Sequence, residues 1–223
     1  MRAFLRPDNG DRARGEVPLV RLDMLPSLDL LPTDSQVLIE RYDELFGLLL
    51  SRDCPPYETE YCPQTFSVYR SHQLADIAGF YHAFGLEPSR TNPERADHVA
   101  LELEFMSWLI LKDEHARDSG SHDRTHAQVC RDAQQRFLAD HLLWWTPAFA
   151  FAMRQKTDGI SEESELSSPP ESFYGATAQL LAAFMRAERL YFGIPPPQRL
   201  ITPNPSDERP ESTACEGCEL LAQ

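Results

Sequence analysis

The segment from Glu94 to His98 places three chemically active side chains close together, at Glu94, Asp97 and His98. Glu102 and Glu104 follow, so the acidic character continues into the next apolar stretch. Carboxylates at the start of a helix commonly offset the positive end of the helix dipole. Beside apolar residues, the same groups bind a cation such as a guanidinium through charge-assisted hydrogen bonds. These residues alone leave both interpretations open.

A second group of side chains has the spacing of a metal site. His122, His126 and Cys130 lie at positions i, i+4 and i+8, which share one face of a helix. His115 and His141 lie on either side of them. Imidazole and thiolate in this arrangement bind zinc or copper, as a metal-dependent helical enzyme would require. An exposed polar helix face explains the same pattern, and we favour that interpretation.

The cysteines near the C-terminus form a third pattern. Cys215 and Cys218 have the spacing of a metal knuckle or a redox pair. A zinc knuckle needs a second pair of ligands, and Cys54 and Cys62 are far away in the sequence. A redox pair opens a helix after a strand, whereas this pair lies in a polar terminal segment. We expect the pair to be inert or incidentally oxidisable.

Composition and missing motifs exclude several function classes. The chain has no Gly-rich phosphate loop, no Gly-x-Ser-x-Gly elbow and no His-Glu-x-x-His pair. Its 35 Asp and Glu against 21 Lys and Arg give a formal charge of −14, which repels nucleic acid and anionic membranes. An acidic surface suits a basic partner, although it also serves solubility alone. The sequence therefore favours a protein that binds another protein or peptide over an enzyme.

The helices predicted from the apolar periodicity of the sequence must position these groups. Capping residues and apolar spacing predict helices over residues 33–52, 71–84, 93–111, 124–145 and 173–192, the fourth continuing to 153 beyond a kink at Pro147. The proline-bracketed stretch 54–63 is predicted to be a rigid loop. No segment alternates with period two over β-branched residues, so we predict an all-α fold without a sheet.

The two ends of the chain differ from its centre. We predict an extended arm over residues 1–32, one all-helical domain over 33–193, and a mobile tail rich in Pro, Ser and Glu over 194–223. No stretch has the apolar length of a secretory signal or a membrane span. A cytoplasmic location is the resulting expectation.

Three stretches together resemble a known family. They are residues 80–88 (FYHAFGLEP), 94–106 (ERADHVALELEFM) and 137–145 (FLADHLLWW), in this order. The chain is similar over about residues 33–192 to the TorD/DmsD/NarJ redox-enzyme maturation chaperones. It most resembles the branch that serves type II enzymes of the dimethyl sulfoxide reductase family, such as dimethylsulfide and ethylbenzene dehydrogenases and chlorate and selenate reductases.

The resemblance implies a TorD-like all-α fold of two lobes with a hinge near residues 86–97. It also implies a chaperone that binds the catalytic subunit of a molybdenum enzyme and its twin-arginine signal peptide. Such a chaperone assists insertion of the molybdenum bis-molybdopterin guanine dinucleotide cofactor before export and keeps no cofactor itself. Residues carried over or placed beside the peptide-binding motif are Glu94, Asp97, His98, Glu102, Tyr81 and Trp108. The second family motif corresponds to Asp140, His141 and Trp145, for which we expect a structural role.

One departure and two competing hypotheses accompany this resemblance. The family motif usually has Pro where this chain has Ala96. A metal-dependent helical enzyme that uses His115, His122, His126 or His141 is the main alternative. A nucleotide-binding switch is the other, since guanine nucleotide binding has been proposed in this family, although no loop for it is visible here.

Overall fold

A computed structural model describes residues 28–47, 51–63, 67–89, 91, 93–118, 124–160, 169–196 and 203. Its elements are α1 (Ser35–Phe46), a 3₁₀ helix (Glu58–Tyr61), α2 (Ser67–Ala83), α3 (Val99–Asp118), α4 (Arg124–Phe137), a π-helical segment (Leu138–Leu142), α5 (Leu143–Asp158) and α6 (Phe173–Phe192). The described residues contain one isolated antiparallel bridge, between Tyr57 and His98, and no strand. The all-α prediction is confirmed. None of the helices in the described ranges has the length and apolar character needed to cross a membrane.

Local capping signals set the ends of two helices. Asp34 accepts a hydrogen bond from the Gln36 amide at 2.9 Å and caps α1, close to the predicted start of this helix at residue 33. The prediction that this helix reaches Arg52 is wrong, because Gly47 adopts a φ of 77° and ends it after Phe46. The helix α6 has the predicted bounds, with Ser172 as its cap.

Helix α3 begins later than predicted. The prediction that it opens at Pro93 and Glu94 is wrong, because residues 93–98 form a non-helical segment and the helix starts at Val99. The backbone of this segment bonds to the loop before α2 instead. The Glu58 amide donates to Asp97 O at 2.9 Å, and the Val99 amide donates to Pro56 O at 2.9 Å. These long-range bonds take up groups that an earlier helix start would have needed.

The helix predicted to be interrupted at Pro147 is interrupted before that residue. Helix α5 runs through Pro147, and the irregularity lies one turn earlier, where the Leu143 amide donates to Leu138 O in a π-helical turn. Proline lacks the amide that would bond to the preceding turn. The hydroxyl of Thr146 donates to Leu142 O at 2.7 Å and so satisfies a carbonyl close to the interruption.

Two apolar clusters form the core. One joins α1, α5 and α6 around Phe46, Trp145 and Phe149. The other joins α2, α3, α4 and the π-helical segment around Phe105 and Phe137. Leu181 of α6 packs against both clusters. The stretch predicted as a rigid loop lies near their junction, and all four residues of its 3₁₀ helix are buried. A hinge near residues 86–97 stays a prediction.

Candidate functional site

The candidate site is built where the 3₁₀ helix meets the segment that precedes α3. The bridge between Tyr57 and His98 and the two backbone bonds described above hold these segments side by side. The sequence between them forms α2, so residues about 40 positions apart become neighbours. This pairing places Glu94, Asp97 and His98 beside residues of the proline-bracketed stretch.

Asp97 is fully buried and its carboxylate is occupied. Its Oδ2 accepts hydrogen bonds from the Thr59 amide at 3.1 Å, from Thr59 Oγ1 at 2.7 Å and from Arg95 Nη2 at 2.9 Å. Its Oδ1 accepts from Arg95 Nε at 3.1 Å. A buried carboxylate is stable when donors surround it in this way. Asp97 therefore ties the loop to the start of α3 and has no free face towards solvent.

Arg95 connects this buried carboxylate to the surface. Its Nη1 donates to Glu60 Oε1 at 3.1 Å, and its Nη2 also donates to Thr59 Oγ1 at 2.7 Å. Its guanidinium lies 4.2 Å from the centre of the Tyr57 ring, in cation–π contact. Asp97 and Glu60 raise the pKa of Arg95 against the opposing effect of burial. The guanidinium is thus held flat between carboxylates and an aromatic face.

Glu94 is the exposed carboxylate of the site. Its Oε1 accepts from Tyr57 Oη at 3.1 Å and from the Arg95 amide at 2.8 Å. Its Oε2 accepts no hydrogen bond from the described residues. Burial, followed by the negative charge of Glu94, raises the pKa of Tyr57 to about 12, so this phenol stays a donor at neutral pH. One carboxylate oxygen therefore faces solvent from a fixed position.

His98 completes the same surface. Its ring lies edge-on to Tyr57 with the ring centres 5.1 Å apart, and its Nδ1 accepts from the Ala100 amide at 3.1 Å. An accepting Nδ1 places the proton of a neutral ring on Nε2. Burial lowers the pKa of His98, against the opposing effect of Glu94 and Asp97. His98 is therefore a neutral donor at pH 7, and it also caps α3.

A second polar layer lies beneath this surface and includes two residues of the second predicted motif, His141 and Trp145. Glu58 accepts from Trp144 Nε1 at 2.9 Å and from Gln73 Nε2. The Nδ1 of His141 lies 3.2 Å from each Glu58 oxygen, and both side chains are fully buried. The π-helical turn places His141 towards Glu58, whereas Asp140 is exposed.

Glu102 belongs to the same layer. It is fully buried and accepts from Trp145 Nε1 at 3.3 Å. Burial, and then the Glu58 carboxylate, raises the pKa of Glu102 well above its usual range. Tyr81 is also buried, and its hydroxyl donates to Ala96 O at 2.8 Å, so it supports the backbone beside Asp97.

The structure divides the predicted site residues into two groups. Glu94 and His98 share an accessible surface, whereas Asp97, Glu102 and Tyr81 lie behind it. Trp108 is 39% exposed but lies ten residues along α3 from His98, or about 15 Å away. His141 and Trp145 of the second motif are buried beside this layer, and their role stays a prediction.

Sequence reasoning missed three participants, Tyr57, Glu58 and Arg95. Tyr57 and Glu58 stand in a stretch whose prolines indicated only a loop. Arg95 stands inside the acidic motif itself, and a cation between two carboxylates was the available signal. Their partners come from distant parts of the chain, so spacing could not have identified the pairs.

Two of the three residues with the spacing of a metal site lie in the described part of the chain. His126 is exposed and Cys130 is buried, and His122 lies outside the described residues. Within those residues, no group of three or more His, Cys, Asp or Glu is arranged to hold a metal ion. Cys215 and Cys218 also lie outside the described residues.

Comparisons with known proteins point to one family. Residues 22–150 match the family described as nitrate reductase delta subunit. The chain is 26% identical to a chaperone protein TorD of Photobacterium profundum over 74% of this chain and 69% of that protein. It is 38% identical to a selenate reductase assembly chaperone protein of Thauera selenatis, and 36% identical to a chlorate reductase assembly chaperone protein of Ideonella dechloratans. Each of these two matches spans 34% of this chain and 37% of the relative.

Proposed function

Because this chain belongs to the nitrate reductase delta subunit family, the family of the TorD and NarJ proteins, we propose that it is an assembly chaperone for the catalytic subunit of a molybdenum oxidoreductase. The resemblance found in the sequence is thereby confirmed at the level of the family. The relatives are named as chaperones and assembly proteins, and two of those names specify a reductase. Accordingly the chain acts by binding a client protein and not as an enzyme.

The finer part of the proposal concerns what the chaperone binds and where. It binds the client in the cytoplasm together with the client's twin-arginine signal peptide, and it assists insertion of the molybdenum bis-molybdopterin guanine dinucleotide cofactor before export. It keeps no cofactor of its own. The cofactor is cargo for the client in this proposal, and the chaperone contributes the peptide-binding surface.

The exposed carboxylate of Glu94 is the observation that carries the signal-peptide proposal. A guanidinium bonds well to a carboxylate that is already oriented, and it stacks on aromatic faces. Glu94 is oriented by Tyr57 and by the Arg95 amide. Arg95 already shows this chemistry, since its guanidinium lies on Tyr57 and bonds to Asp97. We propose that an arginine of the signal binds Glu94 beside His98.

The remaining predicted site residues support this surface indirectly. Asp97 positions Arg95, and through the Arg95 backbone it fixes the orientation of Glu94. Tyr81 holds the segment from below by donating to Ala96 O, and Glu102 accepts from Trp145 in the layer beneath. Trp108, farther along α3, is proposed as a separate apolar contact for the client. These four are expected to affect signal binding less directly than Glu94.

An apolar cleft near this surface suits the stretch that follows the arginines of the signal. The cleft has a volume of about 410 Å³, and its apolar lining includes Leu30, Val37, Leu38, Phe173 and Tyr174. Tyr42, which is 41% exposed, lies on the same helix as Val37 and Leu38, and partial burial, followed by the charge of Glu94, raises its pKa. We propose that the carboxylate and the cleft serve one extended peptide.

The test is titration of the purified chain with a synthetic peptide that contains adjacent arginines followed by an apolar stretch. We expect Glu94→Gln to weaken binding by about 1–2 kcal/mol, or roughly fivefold to thirtyfold, because it removes one charge-assisted contact at a partly exposed position. The variant should also flatten the salt dependence of binding. Its thermal stability should stay close to that of the wild type.

The matched control is Glu114→Gln, which removes an exposed carboxylate of α3 at a distance from the site. This variant should bind the peptide as the wild type does. A peptide with both arginines replaced by glutamine should bind equally weakly to Glu94→Gln and to the wild type. Equal affinity of the wild type and Glu94→Gln for the arginine peptide would place the signal elsewhere.

A further inference from the structure

Two carboxyl groups lie side by side in the interior of this protein. Glu58, in the 3₁₀ helix, and Glu102, in α3, are both 0% exposed, and they accept hydrogen bonds from the indoles of two consecutive residues, Trp144 and Trp145. Two ionised carboxylates have no proton to share, so they can only repel. A close buried pair of this kind is stable when one of the two carries a proton.

The donors around the pair are distributed unequally. Glu58 accepts hydrogen bonds from Trp144 Nε1 and Gln73 Nε2 and lies beside the imidazole of His141. Glu102 receives only Trp145 Nε1, and its fully buried Oε1 accepts no hydrogen bond from the described residues. A buried charge with one donor is costly, whereas a neutral acid needs fewer donors. Glu58 is therefore the better position for the negative charge of the pair, and Glu102 is the better position for its proton.

The charges nearby favour the same assignment. The buried carboxylates of this region are Glu58, Glu60, Asp97 and Glu102, and the guanidinium groups bonded to them are those of Arg70 and Arg95. Four carboxylates against two guanidinium groups leave an excess of two negative charges. A proton on Glu102 reduces that excess to one, and the remaining charge of Glu58 faces His141.

We propose that Glu102 is a proton-binding site, a neutral carboxylic acid in the folded protein that donates its hydrogen bond to the Glu58 carboxylate. Burial and the adjacent Glu58 raise the pKa of Glu102 well above its usual range, in agreement with this assignment. The charged groups that act on the acid are Glu58 and Asp97. The other titratable groups of this region are Glu60, Arg70, Asp76, Arg95, Glu104 and His141.

The proton links pH to the surface above it. Glu58 directly follows Tyr57, whose hydroxyl orients Glu94, and the Glu58 amide bonds to Asp97 O. Loss of the proton would place two negative charges in contact beneath the 3₁₀ helix and push that helix away from α3. Since the folded protein holds this proton more tightly than the unfolded chain, the stabilising effect is complete at low pH and is lost as pH rises.

Infrared difference spectroscopy of the full chain, which compares the wild type with Glu102→Gln, tests the assignment directly. The folded wild type at pH 7 should show the carbonyl stretch of a protonated carboxyl group in a buried environment. Glu102→Gln should lack this band. Glu104→Gln, which alters an exposed neighbour on the same helix, should keep it. Absence of the band from the wild type, or its persistence in Glu102→Gln, would overturn the proposal.

The pH dependence of unfolding supplies a second test. Relative to Glu102→Gln, the folded-to-unfolded ratio of the wild type should fall by up to tenfold for each pH unit between about pH 5 and the pH at which Glu102 ionises in the folded protein, as expected for one bound proton. Parallel pH profiles for the two proteins would contradict the proposal. If Glu102→Gln does not fold, the infrared spectrum of the wild type still decides. Neither experiment uses the signal peptide, so the outcome is independent of the proposed client.

Discussion

Replacing Asp97 by asparagine should destabilise the protein strongly. The surface around Glu94 should change only indirectly, through the altered position of Arg95. Asparagine keeps one oxygen, which can still accept both hydrogen bonds from Thr59. Its amide nitrogen must then face Arg95 Nε, where the aspartate has Oδ1 at 3.1 Å. Two donors would oppose each other, and the buried charge that pairs with the guanidinium would be gone.

The expected loss follows from these contacts. A hydrogen bond to a charged group contributes about 1.5–3 kcal/mol, and Asp97 would lose one such bond and weaken another. The Arg95 side chain is 39% exposed, so solvent screens part of this interaction. We therefore expect a loss of about 2–4 kcal/mol in the free energy of unfolding. For a chain of this size that corresponds to a decrease in Tm of roughly 5–15 °C.

Denaturant unfolding followed by circular dichroism measures the loss, and peptide titration below the transition measures binding. Glu94→Gln is the matched comparison, because it removes a neighbouring carboxylate that is exposed and should change stability by less than about 0.5 kcal/mol. A loss near 1 kcal/mol for Asp97→Asn would indicate only a helix-capping role. That result would refute the interpretation of Asp97 as the tie between the loop and α3.

Two further predictions concern packing and thiol chemistry. A Cβ added at Gly175 would overlap the carboxylate of Asp158, whereas one added at Gly79 meets nothing within 4 Å. Calorimetry should therefore show that Gly175→Ala lowers the stability by about 1–3 kcal/mol and that Gly79→Ala raises it by about 0.5–1 kcal/mol. Burial raises the pKa of Cys54 to about 12 and of Cys62 to about 11. An alkylating reagent at pH 8 should therefore modify both thiols only after unfolding, as measured by mass spectrometry. Rapid modification of the folded chain would contradict this prediction.

Most helices could be predicted because their signals are local. The cap at Asp34 and the glycine at 193 act on residues within one or two turns, and apolar spacing identifies the buried face of each helix. The family resemblance was also accessible, because its motifs are short and contiguous. The start of α3 was not predictable in this way, since residues 93–98 bond to a loop about 40 positions earlier.

The same division applies to the site. The sequence by itself identified Glu94, Asp97 and His98 as candidate site residues, because the motif from Glu94 to His98 is continuous. Only the tertiary structure decided which of them are accessible. Asp97 became an internal tie because Thr59 and Arg95 surround it, and Glu94, three residues earlier, remained exposed. The buried carboxyl pair depends on Glu58 meeting α3 across 44 residues. Desolvation and pairing are properties of the assembled interior, and local sequence does not encode them residue by residue.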